Sequence, residues 1–282
     1  MRKTILTVGM VIGLIVVFGS SSFAATAGNT ADPTTPYGSG MTSKGKSALG
    51  AFKFGFDADC IGERELDGGG GVANAEMDGQ WYMLRLGYNF ADRVEPYLKL
   101  GMAHLKTSWW EGTTHLKAKS ENAIAMGFGA KVLVAQLPEY YNMKFSLDGQ
   151  YNYTDPGIDM ATVNDPDKSV SAAEFEVSDW QVAGLVSMEF PLNFNERLGR
   201  YKRRNAEHYY IIPYAGIAYF NTSTDVKFVN QGTNYSIGKA EADSKFLVIT
   251  GCNVASKENA CLNVEGRFVG ETAGSGGLTL KF

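Results

Sequence analysis

After its first 24 residues the chain has no stretch approaching the ~20 apolar residues of a membrane-spanning helix. If it enters a membrane, it does so as strands. Cysteine is scarce, at three in 282 residues, and no CxxC or Cys/His spacing supports a metal site. Histidine is equally scarce. His104, His115 and His208 are scattered, and no motif sets a carboxylate or nucleophile beside any of them. The chain therefore reads as a non-enzyme, with no catalytic, cofactor-binding or metal residue and no cofactor. Basic residues do not exceed acidic ones, so nucleic acid is not an expected partner. Proline is limited to eight residues, while glycine reaches 33 and aromatics 12%. That balance suits many strands joined by tight turns, with little helix.

Residues 1–24 have the three parts of a secretory signal peptide. Arg2 and Lys3 form the basic start, Ile5 to Phe18 the apolar core, and Ser22-Phe23-Ala24 a small-x-small cleavage site. The apolar core is too short for an anchor, so cleavage after Ala24 is expected. Removal leaves 24 basic against 30 acidic residues, a net charge of −6. Residues 25–46 are rich in Thr, Gly, Ser and Pro and lack periodicity, which predicts a flexible periplasmic lead-in. Residues 47–282 read as one domain.

Within that domain the dominant period is two. Phe52, Phe54 and Phe56 alternate with Lys53, Gly55 and Asp57. Tyr82, Leu84, Leu86 and Tyr88 alternate with Met83, Arg85 and Gly87. The pattern returns around residues 98–103, 124–134, 141–151, 180–190, 209–228, 245–254 and 262–268, and again at the end of the chain. This predicts an all-β fold: a transmembrane, up-and-down antiparallel β-barrel of ten strands, with eight as the competing count. Charges and glycines share one face and bulky apolar residues the other, the reverse of a soluble barrel. Aromatics gather near strand ends and suggest two interfacial girdles. One would hold Phe90, Tyr97, Tyr140, Tyr141, Phe190, Tyr209, Tyr210 and Phe282. The other would hold Trp81, Trp109, Trp110, Tyr151, Tyr153, Trp180 and Tyr219.

The last strand alternates Leu278, Leu280 and Phe282 with Gly277, Thr279 and Lys281. Its free edge is expected to pair with the Phe52–Phe56 strand and close the barrel. Ser275, Gly277, Leu280 and Phe282 also resemble the C-terminal targeting signal of bacterial outer-membrane barrels. With the signal peptide and the alternating strands, the chain resembles the small outer-membrane β-barrel proteins of Gram-negative bacteria. That broad group includes the opacity-like and OmpA-transmembrane-domain-like barrels. The resemblance implies a place in the cell outer membrane. It also implies outer-membrane lipid and lipopolysaccharide as surroundings, and the barrel assembly machinery as the reader of the last strand.

The inward face should carry Lys53, Asp57, Asp59, Arg85, Lys99, Lys131, Lys144, Asp148, Glu189, Glu265 and Arg267. Two readings are open: a salt-bridged plug, or the lining of a narrow polar pathway. About ten strands enclose far less space than the 16–18 of an aqueous porin, which favours the plug. Cys252 and Cys261 flank a turn and could form a disulfide in an oxidising periplasm. The basic cluster Arg197, Arg200, Lys202, Arg203 and Arg204 reads as a solvated periplasmic connection. Asp155, Asp159, Asp165 and Asp167 lack the spacing of an EF-hand loop and read as a solvated outer loop. The functional expectation is a structural or surface-interaction protein with an unidentified surface ligand. The alternative is a narrow porin for small solutes; an outer-membrane enzyme is less favoured.

Overall fold

The computed structural model describes residues 52–68, 71–90, 93–163, 171–192, 209–230, 233–256 and 260–281. The signal peptide, the lead-in, the basic cluster from Arg197 to Arg204, His208 and Phe282 lie outside them. Asp165 and Asp167 also fall outside.

Ten strands form the wall: β1 (Phe52–Asp67), β2 (Val72–Tyr88), β3 (Val94–Glu111), β5 (Ala123–Leu137), β6 (Met143–Thr154), β8 (Ser171–Ser187), β10 (Tyr209–Asn230), β12 (Phe246–Ser256), β13 (Ala260–Val269) and β14 (Thr272–Lys281). Each pairs antiparallel with the next, and β14 returns to β1 with Phe54 opposite Leu280 and Phe56 opposite Leu278. Closure leaves no free edge around the ring. The expected seam and the ten-strand count are both present, and the eight-strand alternative falls away. Short turns join β2 to β3 and β5 to β6 at one end. At the other end, Gly112 takes a φ of 63° in the turn after β3, a left-handed conformation that suits glycine.

Four further strands complete the set: β4 (Thr114–Ser120), β7 (Ile158–Val163) and β11 (Thr233–Ala242) lie within segments that read as loops, while β9 (Phe190–Leu192) starts at the end of the expected 180–190 strand. β9 lengthens the ladder beside β10. The other three build upward from the outer end. β4 pairs with the extension of β3 and with β7, while β11 pairs with β10 and then with β1. The barrel thus has a lower tier of ten strands and an outer tier. In the outer tier the long strands β1, β2, β3, β8 and β10 continue while β5, β6, β12, β13 and β14 stop.

Each long strand reverses its polarity between the tiers. On β2 the outward side chains are Tyr82, Leu84, Leu86 and Tyr88 below, but Glu76, Asp78 and Gln80 above. On β8 they are Trp180, Val182 and Val186 below, and Glu174 and Glu176 above. The inward face changes in the opposite sense. On β2, Arg85 below gives way to Trp81, Met77 and Ala75 above, all buried. An apolar exterior over a charged interior is stable against lipid, and the inverse arrangement is stable in water.

Two aromatic rows mark the limits of the apolar band. Phe52, Tyr88 and Phe90 stack edge to face at one level, and Trp180, Tyr219 and Phe246 interlock at the other. Four residues expected in the girdles are inside instead. Trp81, Tyr97 and Trp109 occupy inward positions in the alternation and are buried. Tyr97 turns in to hydrogen-bond Asp148, and Trp109 packs edge to face on Phe228. Tyr210 also faces inward, against Ile212, Ala255 and Cys261.

Candidate functional site in the barrel interior

The lower tier carries the charged residues expected on the inward face. Lys53, Asp57, Asp59, Arg85, Lys99, Lys131, Lys144, Asp148, Glu265 and Arg267 are buried, and Glu189 is half-buried. They do not gather at one point but form successive levels. At the turn end the Lys53 ammonium pairs with Glu95, and Lys144 donates to Glu189 at 2.6 Å. Asn142 donates to the same Glu189 carboxylate and accepts from Gln136.

At mid-height, tyrosines and glycines mesh across the ladder. Tyr97 stands opposite Gly129 and Tyr214 opposite Gly251. A Cβ on either glycine would fall 2.4 Å from the facing ring, so only glycine leaves room for the tyrosine to lie over it. The two hydroxyls reach carboxylates: Tyr97 donates to Asp148 at 2.7 Å and Tyr214 to Glu265 at 2.8 Å. Asn263 donates to Tyr214 and to Asn253, each at 2.8 Å. Lys99 donates to Gln150 at 2.6 Å, and Arg85 to Thr279 at 2.9 Å while lying 3.9 Å from Asp57.

The top level joins strands from opposite sides of the barrel. Arg64 donates to Glu271, Thr222 and Asp179, and its guanidinium lies 5.2 Å from the centre of the Phe220 ring. Thr222 in turn donates to Asp179 at 2.6 Å. Arg267 reaches Asp59 at 3.3 Å and Glu271 at 2.8 Å. Arg64, Glu95 and Glu271 are lumen charges that the sequence pattern did not reveal, and Asp179, on the inward side of the 180–190 alternation, joins them. Arg64 faces inward because β1 bulges between Ile61 and Glu63, which shifts its alternation by one residue. A buried pair of this kind is costly to break: removing one partner strands the other charge, at about 3–5 kcal/mol. The cavity among Asp57, Asp59, Arg64, Lys99 and Arg267 measures about 10 Å³, near the minimum for one water.

Above this level the interior turns apolar. Trp109, Leu105, Leu116, Phe175, Val226 and Phe228 are fully or almost fully buried and form one cluster with the inward residues of β1, β2 and β11. Outside, the tier carries ion pairs. Glu241 and Lys245 lie 2.9 Å apart, and this hydrogen bond holds the Glu241 carboxyl below its ordinary range and the Lys245 ammonium above it. Asp159 pairs with Lys119 at 3.8 Å, and Asp155 is exposed.

The proposed Cys252–Cys261 cross-link is not formed. Cys252 stands opposite Val264 and Cys261 opposite Ala255, so the two are three ladder positions apart. They also fall on opposite faces of the sheet, Cys261 inward and Cys252 outward. A disulfide needs Cβ atoms about 3.5–4.5 Å apart. Of the assembly-signal residues, Ser275 and Gly277 face the interior and Leu280 faces outward on β14. His104 lies in β3 and His115 in β4, where its ring stacks on Trp110 at 4.6 Å. Among the described residues no group of His, Cys, Asp and Glu is arranged to hold a metal ion.

A closed, even-stranded antiparallel barrel with an apolar outer band and a charged interior is the architecture of an outer-membrane β-barrel. The cell outer membrane is the compartment that architecture implies. No protein-family model and no curated protein matches the chain. Among solved structures it is similar to the translocator domain of the autotransporter NalP from Neisseria meningitidis, at 11% identity, covering 82% of this chain and 88% of that one, with a TM-score of 0.40. It is also similar to the transport unit of the autotransporter AIDA-I from Escherichia coli, at 9% identity, 91% and 96% coverage and a TM-score of 0.40. The outer membrane protease OmpT from Escherichia coli is a third, at 8% identity, 82% and 90% coverage and a TM-score of 0.40. The membrane assignment rests on the chain's own two surfaces.

Proposed function

We propose that this protein is a non-conducting outer-membrane barrel with a structural or surface-interaction role, and that its outer tier is the contact surface. The observation that carries this reading is the change of interior along the barrel axis. An ion entering from the turn end would meet paired charges, and then a core built from Trp109, Phe175 and Phe228. Entering such a core would strip its hydration without replacement. The outward face of the lower tier fits outer-membrane lipid, with lipopolysaccharide around its outer rim. β14, with Ser275, Gly277 and Leu280, fits recognition by the barrel assembly machinery. A surface ligand would meet the charged outer tier. His104 and His115 stand apart from the lumen charges, and the reading assigns no catalysis.

The test is planar-bilayer conductance of the refolded protein. Electrical silence is expected. Discrete ion-conducting openings would overturn the non-conducting reading in favour of a narrow porin.

A further inference from the structure

On one side the outer tier does not continue the ladder of the wall below it. β12, β13 and β14 end near the aromatic row of Tyr219 and Phe246, and β11 passes above their ends to pair with β1. The link from Asp243 to Lys245 crosses this side like a lintel. The Asp243 N–H donates to Glu65 O at 3.1 Å, and the Phe220 N–H donates to Lys245 O at 2.9 Å. Beneath the lintel sits the β13–β14 turn, Val269-Gly270-Glu271. Among the described residues, no backbone hydrogen bond joins this turn to the link above it.

The turn is constrained rather than relaxed. Val269 has a φ of 90°, a region a β-branched residue holds only under compulsion, and it is 76% exposed. Gly270 is wedged inward: a Cβ there would fall 2.5 Å from the Phe246 carbonyl oxygen and 2.9 Å from the Phe220 ring. Glu271 then enters the lumen between two buried arginines. It accepts from Arg64 Nε at 2.8 Å and lies 2.8 Å from Arg267 Nε. This second contact is close but not aligned as a hydrogen bond, so Arg267 Nε and Glu271 Oε1 each go without one. Outside, Phe246, Phe268 and Val269 carry the lipid-facing surface up to the turn.

We propose that the β13–β14 turn is a lateral flap, and that Glu271 in the closed position occupies an arginine-pair site for an anionic headgroup of a single-chain amphiphile from the outer leaflet. Opening moves Glu271 out, and the incoming carboxylate or phosphate takes its place between Arg64 and Arg267. Exchanging one anion for another leaves neither buried guanidinium uncompensated, which removes the main penalty of opening. Asp59 and Asp179 stay in place and hold the two arginines. The acyl chain lies along Phe246, Phe268 and Val269. This inference rests on the membrane reading but not on the absence of conductance, so it stands or fails separately from the bilayer experiment.

The probe is dodecyl phosphate, titrated calorimetrically into the refolded full chain in a neutral maltoside detergent, with dodecanol as the uncharged control. Wild-type protein should bind dodecyl phosphate saturably and dodecanol not at all. Glu271→Gln weakens the internal competitor and should tighten binding by about tenfold, within the usual range of coupling between competing ligands. Glu271→Asp keeps the charge and should stay near wild type. Heat-modifiable gel migration checks that each variant is folded. Absence of saturable binding to the wild type, equal affinity in wild type and Glu271→Gln, or equal binding of dodecanol would each overturn the proposal.

Discussion

Arginine placed at two outward positions of β2 should separate the two tiers. Leu86 is 49% exposed and faces outward in the lower tier. At a rise of about 3.3 Å per residue it lies roughly 13 Å along the strand from Tyr82 and roughly 7 Å from Tyr88, well inside the apolar band. A lipid-facing arginine at the midplane of a barrel costs about 2–4 kcal/mol. That lowers the folding equilibrium roughly 30- to 700-fold. Gln80 is also exposed and outward, but it stands beyond Tyr82, with Cys60 and His104 opposite it in the neighbouring strands. Leu86→Arg should therefore lose the full amount, and Gln80→Arg should stay within about 0.5 kcal/mol of wild type. The assay is urea titration of protein folded into lipid vesicles, read by heat-modifiable migration. Equal losses at the two positions would refute the assignment of lipid to one surface and water to the other. A larger loss at Gln80 would invert it.

Phe228 is buried and packs on Trp109 and Tyr235 at centroid distances of 6.0 and 5.5 Å. Phe228→Ala should cost about 3–5 kcal/mol. The loss should appear as faster amide exchange in β4, β7 and β11, with β12 to β14 still protected. At the outer surface, Lys245→Met should return the depressed Glu241 carboxyl to its ordinary range, as measured by NMR titration. Because Glu241 titrates low when folded, its contribution is present above the ordinary carboxylate range and fades as pH falls through the depressed value. That loss should vanish in the variant.

The wall of the barrel was legible because lipid enforces the period-two pattern strictly. Leu84, Leu86, Phe54 and Phe56 fall on the expected face, and the charges opposite them turn inward. The outer tier was not legible for the same reason. There the apolar residues face inward and the charges outward, so Glu63, Glu65 and Asp67 broke the pattern and the segment read as loop. β4, β7 and β11 were hidden similarly. Trp81 and Tyr97 stand near strand ends, as girdle residues do, but the alternation turns both inward. Arg64 escaped because a bulge shifts its phase, and its partner Glu271 stands 207 residues away in a turn with no alternation to read. Ladder register, not spacing in the chain, also decides that Cys252 and Cys261 cannot meet.

The outer tier has a bearing on molecular recognition. A loop hanging from a barrel rim samples many conformations, and a partner that grips it must freeze them, which weakens association and slows productive encounter. Here the hairpins that turn near Gly71 and at Gly112 are hydrogen-bonded, and their roots share one apolar core. Their spacing and orientation are set before anything touches them. A partner that fits would meet a rigid template at little conformational cost, and one that does not fit would find little give.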